Sequence, residues 1–368
     1  MKRTIKIKIK SNSLKRTVEQ CFRAYKFCIN TGFNLHTSSK KKIHNATYSE
    51  IRKKWSKIPS ALIQTVRDVA CENLWAVKLK TKPNPKNKFI RYDGRTFRFI
   101  KTDNLVSLST VEGRKKISVS IPEYFKKYLD WDCKSATVTL KDNQLWLSLV
   151  METDAPDKIE GSVLGIDRGI NNIAVTSDNK FYNSKKLKKI KGKYQYRKAM
   201  LQSKGTKSAK QRLKKISGKE KRFIRDMNHC LSKEIALRNF SNFCLEDLEI
   251  KKERRLGRKF NKMLGNWSFK QFQTFLAYKL EERGKNLTLI DPAYTSQRCS
   301  MCGHIDKSNR QSSEFKCKSC GYELNADLNA SRNIAYLGIS EIGRLNVIQP
   351  IVTPERGVTS LCASAIGR

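Results

Sequence analysis

Four cysteines constrain this chain more than any other feature. Cys299-x2-Cys302 is followed, after fourteen intervening residues, by Cys317-x2-Cys320, and a glycine, Gly303 or Gly321, comes directly after each pair. Such pairs form knuckles, in which glycine supplies the permissive backbone that turns two thiolates onto one ion. Four thiolates close a tetrahedral Zn²⁺ shell with no position left for substrate, so a zinc held here is structural. His304 adjoins the first knuckle, but with the shell complete a surface role is expected of it. The other seven cysteines (Cys21, Cys28, Cys71, Cys133, Cys230, Cys244 and Cys362) are scattered singly, and the total of 11 is odd. That usage fits a reducing compartment rather than a disulfide scaffold.

The 368 residues carry 76 Lys+Arg against 33 Asp+Glu, a formal charge of +43. With 39% hydrophobic and 9% aromatic residues the chain can still bury a core, which excludes a disordered basic tail and points to two or three folded units. A folded polycation suits a large polyanion, and nucleic acid is the commonest one. No stretch approaches the roughly 18 apolar residues of a membrane span, and MKRTIKIKIK lacks the apolar run of a signal peptide. A cytosolic protein without a membrane partner is expected.

Ile5, Ile7 and Ile9 alternate with Lys6, Lys8 and Lys10, the period of a half-exposed strand. From about Ser13 to Lys80 the spacing is helical, as in Leu62, Val66, Val69, Leu74 and Val77 after Pro59-Ser60, and the block ends at the linker Lys82-Pro83-Asn84-Pro85-Lys86. Strand-like segments then return around Asp93-Gly94, Glu112-Gly113 and Asp142-Asn143, each reading as a hairpin. The expectation is a small β-domain, 1–12 and 83–155, interrupted by a helical block, 13–82. Within it, Arg91-Tyr92, Arg95 and Phe97-Arg98-Phe99 read as strand core alternating with surface charge, or as groups that stack on bases and clamp phosphates.

A new unit begins around Ala155-Pro156 to Gly161, with an apolar strand, a tight turn and a second strand in VLGIDRGINNIAVTSDNKF. From Lys185 to Arg225 there are 18 Lys/Arg and one acid, Glu220, interrupted by Gly192, Gly205 and Gly218. This is either a solvated charge run or, with Leu201, Leu213 and Ile216 as a seam, a basic helical hairpin (185–225) laid along a phosphate backbone. Asn266 to Lys279 spaces Trp267, Phe269, Phe272, Phe275, Leu276 and Lys279 at helical intervals, as core, and His229 reads as a packed or surface histidine. The segment 337–368, containing Pro350 and Pro354, reads as a flexible tail.

Three carboxylates stand in distinct contexts: Asp167 in VLGIDRGI, Glu246 in NFCLEDLEI and Asp327 in GYELNADLNASRNI. Each alone has a plain explanation: a strand-terminal turn, a helix-start acid, and a helix N-cap by Asn325 or Asp327. Together, though 79 and 81 residues apart, they can converge at one sheet end, where carboxylates repel unless divalent cations neutralise them. Two hard ions about 4 Å apart on oxygen ligands activate water and stabilise the leaving oxygen in phosphodiester cleavage. The residues therefore argue for nucleic acid, two divalent ions and one zinc.

GIDRGINNIAV, CLEDLEI, DPAYTSQRCSMCGH, FKCKSCGY and NADLNASRNI, in that order within residues 161–336, resemble the split RuvC nuclease motifs and inserted zinc ribbon of the TnpB family. Bacterial and archaeal insertion sequences encode these proteins, and type V CRISPR effectors share the layout. The resemblance implies a multidomain α+β protein: a β-barrel wedge domain with a helical recognition insertion, then an RNase H-like (RuvC) α/β nuclease domain at 156–294 and 324–336, with a zinc ribbon inserted at 295–323. It implies that Asp167, Glu246 and Asp327 bind two catalytic Mg²⁺, beside one structural Zn²⁺ on Cys299, Cys302, Cys317 and Cys320. It further implies an RNA-guided DNA endonuclease of the prokaryotic cytosol, a monomer being the favoured state. Its guide RNA would come from the transposon end, and its double-stranded DNA target would lie beside a short transposon-associated motif. Two other readings stand beside it: a catalytically silent RNA-guided DNA-binding protein (repressor or transposition helper), and a guide-free zinc-ribbon DNA-binding factor, which leaves the acids idle.

Overall fold

The computed structural model describes residues 1–248 and 269–348. The chain divides into two compact units, Met1–Asp154 and Ala155–Arg368.

In the first unit, β1 (Lys2–Ile9) is followed by α1 (Asn12–Asn34), α2 (Lys40–Lys54) and α3 (Ser60–Ala76). The period-two pattern of β1 buries Ile5, Ile7 and Ile9. The Ser11 side chain starts α1 by accepting from the Leu14 N–H. Next come β2 (Lys88–Tyr92), β3 (Phe97–Ile100), β4 (Leu105–Thr110), β5 (Gly113–Ser118), the short α4 (Glu123–Lys126), β6 (Asp132–Lys141) and β7 (Gln144–Glu152). They form two antiparallel sheets, ordered β1-β7-β6-β2 and β3-β4-β5. The β4–β5 and β6–β7 hairpins form as their turn residues predict, with Asp142 and Asn143 at φ 49° and 60°, the left-handed pair that a two-residue turn needs.

The hairpin expected at Asp93-Gly94 does not form. There the chain leaves one sheet for the other, β2 pairing with β6 and β3 with β4. The Asp93 carboxylate accepts from the Arg95 N–H and the Thr96 hydroxyl, a side-chain turn that redirects the chain without reversing it. Tyr92 and Phe97 are core, Arg91 forks on Glu72 and Arg95 pairs with Asp93, so strand core with ion-paired surface charge is the reading these contacts favour.

The second unit is built on β8 (Val163–Asp167), β9 (Asn172–Thr176), β10 (Lys180–Asn183), β11 (Asn242–Glu246) and β12 (Asn286–Ile290). The sheet order is β10-β9-β8-β11-β12, with β10, β9 and β8 antiparallel and β8, β11 and β12 parallel. Helices α5 (Lys185–Lys204) and α6 (Lys207–Ala236) lie between β10 and β11, and α7 (Phe269–Glu281) precedes β12. A small sheet of β13 (Arg310–Gln311), β14 (Glu314–Lys316) and β15 (Glu323–Asn325) leads into α8 (Ala326–Ile348).

Every residue of β11 is buried, as expected of a strand covered on both faces. Leu164, Ile166, Phe243 and Leu245 pack with Leu231 and Ile235 of α6 and Phe272 and Leu276 of α7. The alternate residues Val163 and Cys244 pack with Ile334 and Leu337 of α8. Strand periodicity then assigns Asp167 and Glu246 to the α8 side. There α8 rests on nearly bare backbone: a Cβ added at Gly165 would lie 2.1 Å from the Ser331 carbonyl oxygen, and one at Gly338 would lie 2.1 Å from Cys244 Sγ.

The lysine-rich segment is a helical hairpin. Gly205, at φ 63°, ends α5, and the Thr206 side chain starts α6 by accepting from the Ala209 N–H. Trp267 of the expected apolar helix lies outside the described residues, and the remainder of that helix is α7. The tail expected from residue 337 is helical as far as Ile348, and Leu337 and Ile342 join the α8–sheet cluster. Exposed Tyr336 and Ile339 on the same helix blur its amphipathic pattern, which hid it in the sequence; residues 349–368 lie outside the described residues. Among the described residues no helix is long and apolar enough to cross a membrane.

Gly165→Ala is expected to lower the melting temperature by several degrees, since overpacking costs about 1–3 kcal/mol. Gly192→Ala, within α5 with nothing within 4 Å of an added Cβ, is expected to be neutral or slightly stabilising. Scanning calorimetry of the two variants checks the contrast.

Candidate carboxylate site and metal centre

The Sγ atoms of Cys299, Cys302, Cys317 and Cys320 lie within 4.8 Å of one another, with Cys299–Cys320 at 3.8 Å and Cys302–Cys317 at 3.6 Å. Zn–S bonds of about 2.3 Å in a tetrahedron place sulfurs about 3.8 Å apart, so this donor set fits zinc. The knuckles are built alike. The Gly303 N–H donates to the Cys299 carbonyl and the Gly321 N–H to the Cys317 carbonyl, with the two glycines at φ 78° and 71°. Buried Asn309 joins the two halves: its Nδ2 donates to the Gln297 carbonyl, and its Oδ1 accepts from the Lys318 N–H. His304 is exposed.

Asp167 and Glu246 end neighbouring parallel strands whose register pairs Ile166 with Leu245, so their side chains leave adjacent positions on one face. Asp327 arrives through α8. Ser331 sits on Gly165; four residues back along a helix and two forward along a strand are each about 6–7 Å, which brings Asp327 alongside Asp167. Asn325 is the N-cap, its Oδ1 accepting from the N–H groups of Asp327 and Leu328. The Asp327 carboxylate is therefore left to other partners: Oδ1 pairs with Arg310 Nη2 at 3.0 Å and Oδ2 accepts from Asn172 Nδ2 at 2.9 Å. Glu246 accepts from the Thr295 hydroxyl through Oε1, and its backbone carbonyl accepts from the Arg168 guanidinium.

Burial, reinforced by the charges of Glu246 and Asp327, pushes the Asp167 carboxyl up to about 7, with Arg310 opposing. Burial raises Glu246 as well, against the Thr295 hydrogen bond and the charges of Arg168 and Arg310. The site is short of positive charge. Among the described residues, the four cysteines are the group whose ligand atoms all approach within 4.8 Å; the three carboxylates form a looser set, with Asp327 engaged by Arg310 and Asn172. Three carboxylates are the donor chemistry that hard divalent cations such as Mg²⁺ take, and such a cation would supply the missing charge.

Sequence reasoning singled out the three acids and the four cysteines and missed Arg168, Asn172, Thr295 and Arg310. A basic residue directly after a buried acid was a local cue for Arg168. Thr295 and Arg310 reach the site through loops, where no periodicity speaks for them.

The architecture recurs in solved structures. The chain superposes on the Cas12f1 of a Cas12f1-sgRNA-target DNA complex with TM-score 0.61 at 19% identity, covering 88% of this chain and 82% of that one. At that identity the likeness is one of fold, and it defines a mixed α/β protein of the Cas12f type with a zinc-ribbon-like cysteine cluster. The family model described as "Probable transposase" matches residues 147–256, and "Cas12f1-like, TNB domain" matches residues 269–334. Over 90 residues the chain is 51% identical to the CRISPR-associated endodeoxyribonuclease Cas12f1 of Sulfoacidibacillus thermotolerans, covering 24% of this chain and 21% of that one. Over 230 residues it is 27% identical to the putative RNA-guided DNA endonuclease InsQ of Escherichia coli K12, covering 56% of each. TnpB-like proteins are also among its relatives. These likenesses bear out the resemblance of the sequence to the TnpB family. It spans between about a fifth and just over half of the length of these curated relatives, 21% to 56%.

Because the folded state resists ionising Asp167, its contribution to stability is fully present below about pH 4 and is lost as pH rises through about 7. Without added divalent metal, Asp167→Asn is expected to raise the melting temperature by several degrees at pH 8 and to match the parent near pH 4; melting curves across pH check this. Zinc chelation is expected to remove one zinc per chain and to abolish hydrogen-exchange protection around residues 297–325 while β8 and β11 stay protected. Metal analysis and exchange mass spectrometry read both.

Proposed function

We propose that this protein is an RNA-guided DNA endonuclease in which Asp167, Glu246 and Asp327 hold the catalytic Mg²⁺ ions. The observation that carries the reading is the convergence of three acids, distant along the chain, onto one buried sheet end, where Asp167 is pushed up to about 7 by burial and its neighbours. The names of the relatives, an RNA-guided DNA endonuclease and a CRISPR-associated endodeoxyribonuclease, support it. On this reading the five-stranded sheet is the RNase H-like (RuvC) core, and the cysteine module from about residue 295 to 323 is its zinc ribbon. The two sheets of the first unit, with the helices inserted after β1, are the wedge barrel and recognition insertion. The protein acts as a monomer in the prokaryotic cytosol, with guide RNA from the transposon end and DNA bearing a short adjacent motif.

When bound, the divalent ions activate the attacking water and stabilise the leaving oxygen of the phosphodiester. Asp167 and Glu246, fixed on neighbouring strands, present oxygens from one face. Thr295 holds the Glu246 carboxylate, and Asn172 holds that of Asp327. Arg310 pairs with the Asp327 carboxylate, and its planar guanidinium would serve as a donor to a phosphate at this site. The exposed Lys and Arg of α5 and α6 follow a nucleic-acid backbone.

Asp167→Ala and Asp327→Ala are each expected to abolish cleavage while guide-RNA affinity stays near that of the parent. Cleavage persisting in either variant, with Mg²⁺ as the sole divalent ion, sinks the reading. RNA retained through purification is expected to match the transposon end, and its absence favours the guide-free DNA-binding factor. If about 6–10 phosphates are contacted, affinity should fall roughly 10³–10⁵-fold between about 50 and 200 mM salt.

A further inference from the structure

Arg168 follows Asp167 directly, and strand alternation turns it away from the acid's face into the protein, where 6% of it is exposed. Taking a guanidinium out of water is unfavourable unless its donors are used. Here Nη2 donates to the backbone carbonyl of Glu246, Nη1 donates to the Phe269 carbonyl at 3.4 Å, Nε is buried without a hydrogen-bond partner among the described residues, and the guanidinium carbon lies 5.7 Å from the centre of the Phe269 ring. One side chain therefore ties three places together: the end of β8, through its own backbone next to Asp167; the end of β11, at Glu246; and the first turn of α7.

We propose that Arg168 is a positioning residue for the metal site, fixing the separation of the Asp167 and Glu246 carboxylates through the backbone of Glu246. The inference rests on the metal-binding reading of the three acids and adds a residue outside the ligand set. Lysine would keep the charge but lose the planar fork that reaches two carbonyls at once. A partner that orients a ligand typically changes metal affinity by about 10–100-fold when removed. The Glu246 side chain is held by Thr295 and its backbone by pairing with Ile290 of β12 and by Arg168; of these, the Arg168 bond starts from the residue next to Asp167 and so adds to the β8–β11 register at the strand ends.

The test is Mn²⁺ binding to the full-length, zinc-loaded, RNA-free protein by calorimetry, with Asp167→Ala, Arg168→Lys and the parent compared. The expected result is a parent that binds, an Asp167→Ala variant that does not, and an Arg168→Lys variant weakened about 10–100-fold with zinc content and melting temperature near those of the parent. In the guide-loaded complex, Arg168→Lys should lower kcat and raise the Mg²⁺ concentration for half-maximal rate while leaving target-DNA affinity unchanged. Equal affinity of the parent and Arg168→Lys, with Asp167→Ala still losing the ion, overturns the role of Arg168 and leaves the carboxylate site standing. Equal binding by the parent and Asp167→Ala overturns both. Should Arg168→Lys fail to fold, Phe269→Leu decides: it removes the ring under the guanidinium and keeps both carbonyls, so a several-fold weaker Mn²⁺ affinity supports the role and parental affinity overturns it.

Discussion

A helix can rest on a strand's backbone only where no side chain intervenes, and α8 meets that condition at Gly165. The rest of the second unit follows from this contact. With Ser331 on Gly165, the start of α8 has to lie at the end of β8, and Asp327 comes up beside Asp167 without any long side chain reaching for it. The same helix docks the cysteine module. Asn329 and Asn333 donate to the carbonyls of Arg298 and Thr295, and Asn329 accepts from the Ser300 N–H, all from buried positions. The four-cysteine cluster and the acid site thus share one helix as support.

Against a formal charge of +43, the protein gathers three acids at one sheet end, where burial resists the ionisation of Asp167 and Glu246. The two guanidiniums nearby divide the compensation. Arg168 is enclosed and committed to backbone carbonyls, whereas the Arg310 side chain is about a third exposed, at 32%, and bound to a carboxylate. Arg168 thus serves the architecture of the strand ends, and Arg310 the charge balance of Asp327.

Much of the second unit could be read from the chain. The alternation Val163-Gly165-Asp167 and Asn242-Cys244-Glu246 marks each acid as sharing a face with small residues, which is where a helix packs closely. The cysteine spacing specified a knuckle geometry that local backbone forces suffice to build. Partner choice was not local: nothing near Arg310 or Thr295 says which carboxylate each will meet, because loops bring them there. The Asp93-Gly94 turn misled for a related reason. Its residues favour a change of direction, and only the separate pairing of β2 with β6 and of β3 with β4 decides that the strands part. The continuation of α8 past residue 336 was hidden by its exposed apolar residues, since the face that matters is defined by the sheet beneath it.

The order of the elements has a consequence for synthesis. All five strands of the second sheet, from Val163 to Ile290, precede α8, which starts at Ala326. On the ribosome these strands emerge first, so Val163, Cys244 and Ile290 lack their partners Ile334, Leu337 and Ile342 until α8 is made. The third acid comes with it, so the nascent chain gains its third carboxylate and its missing hydrophobic cover together.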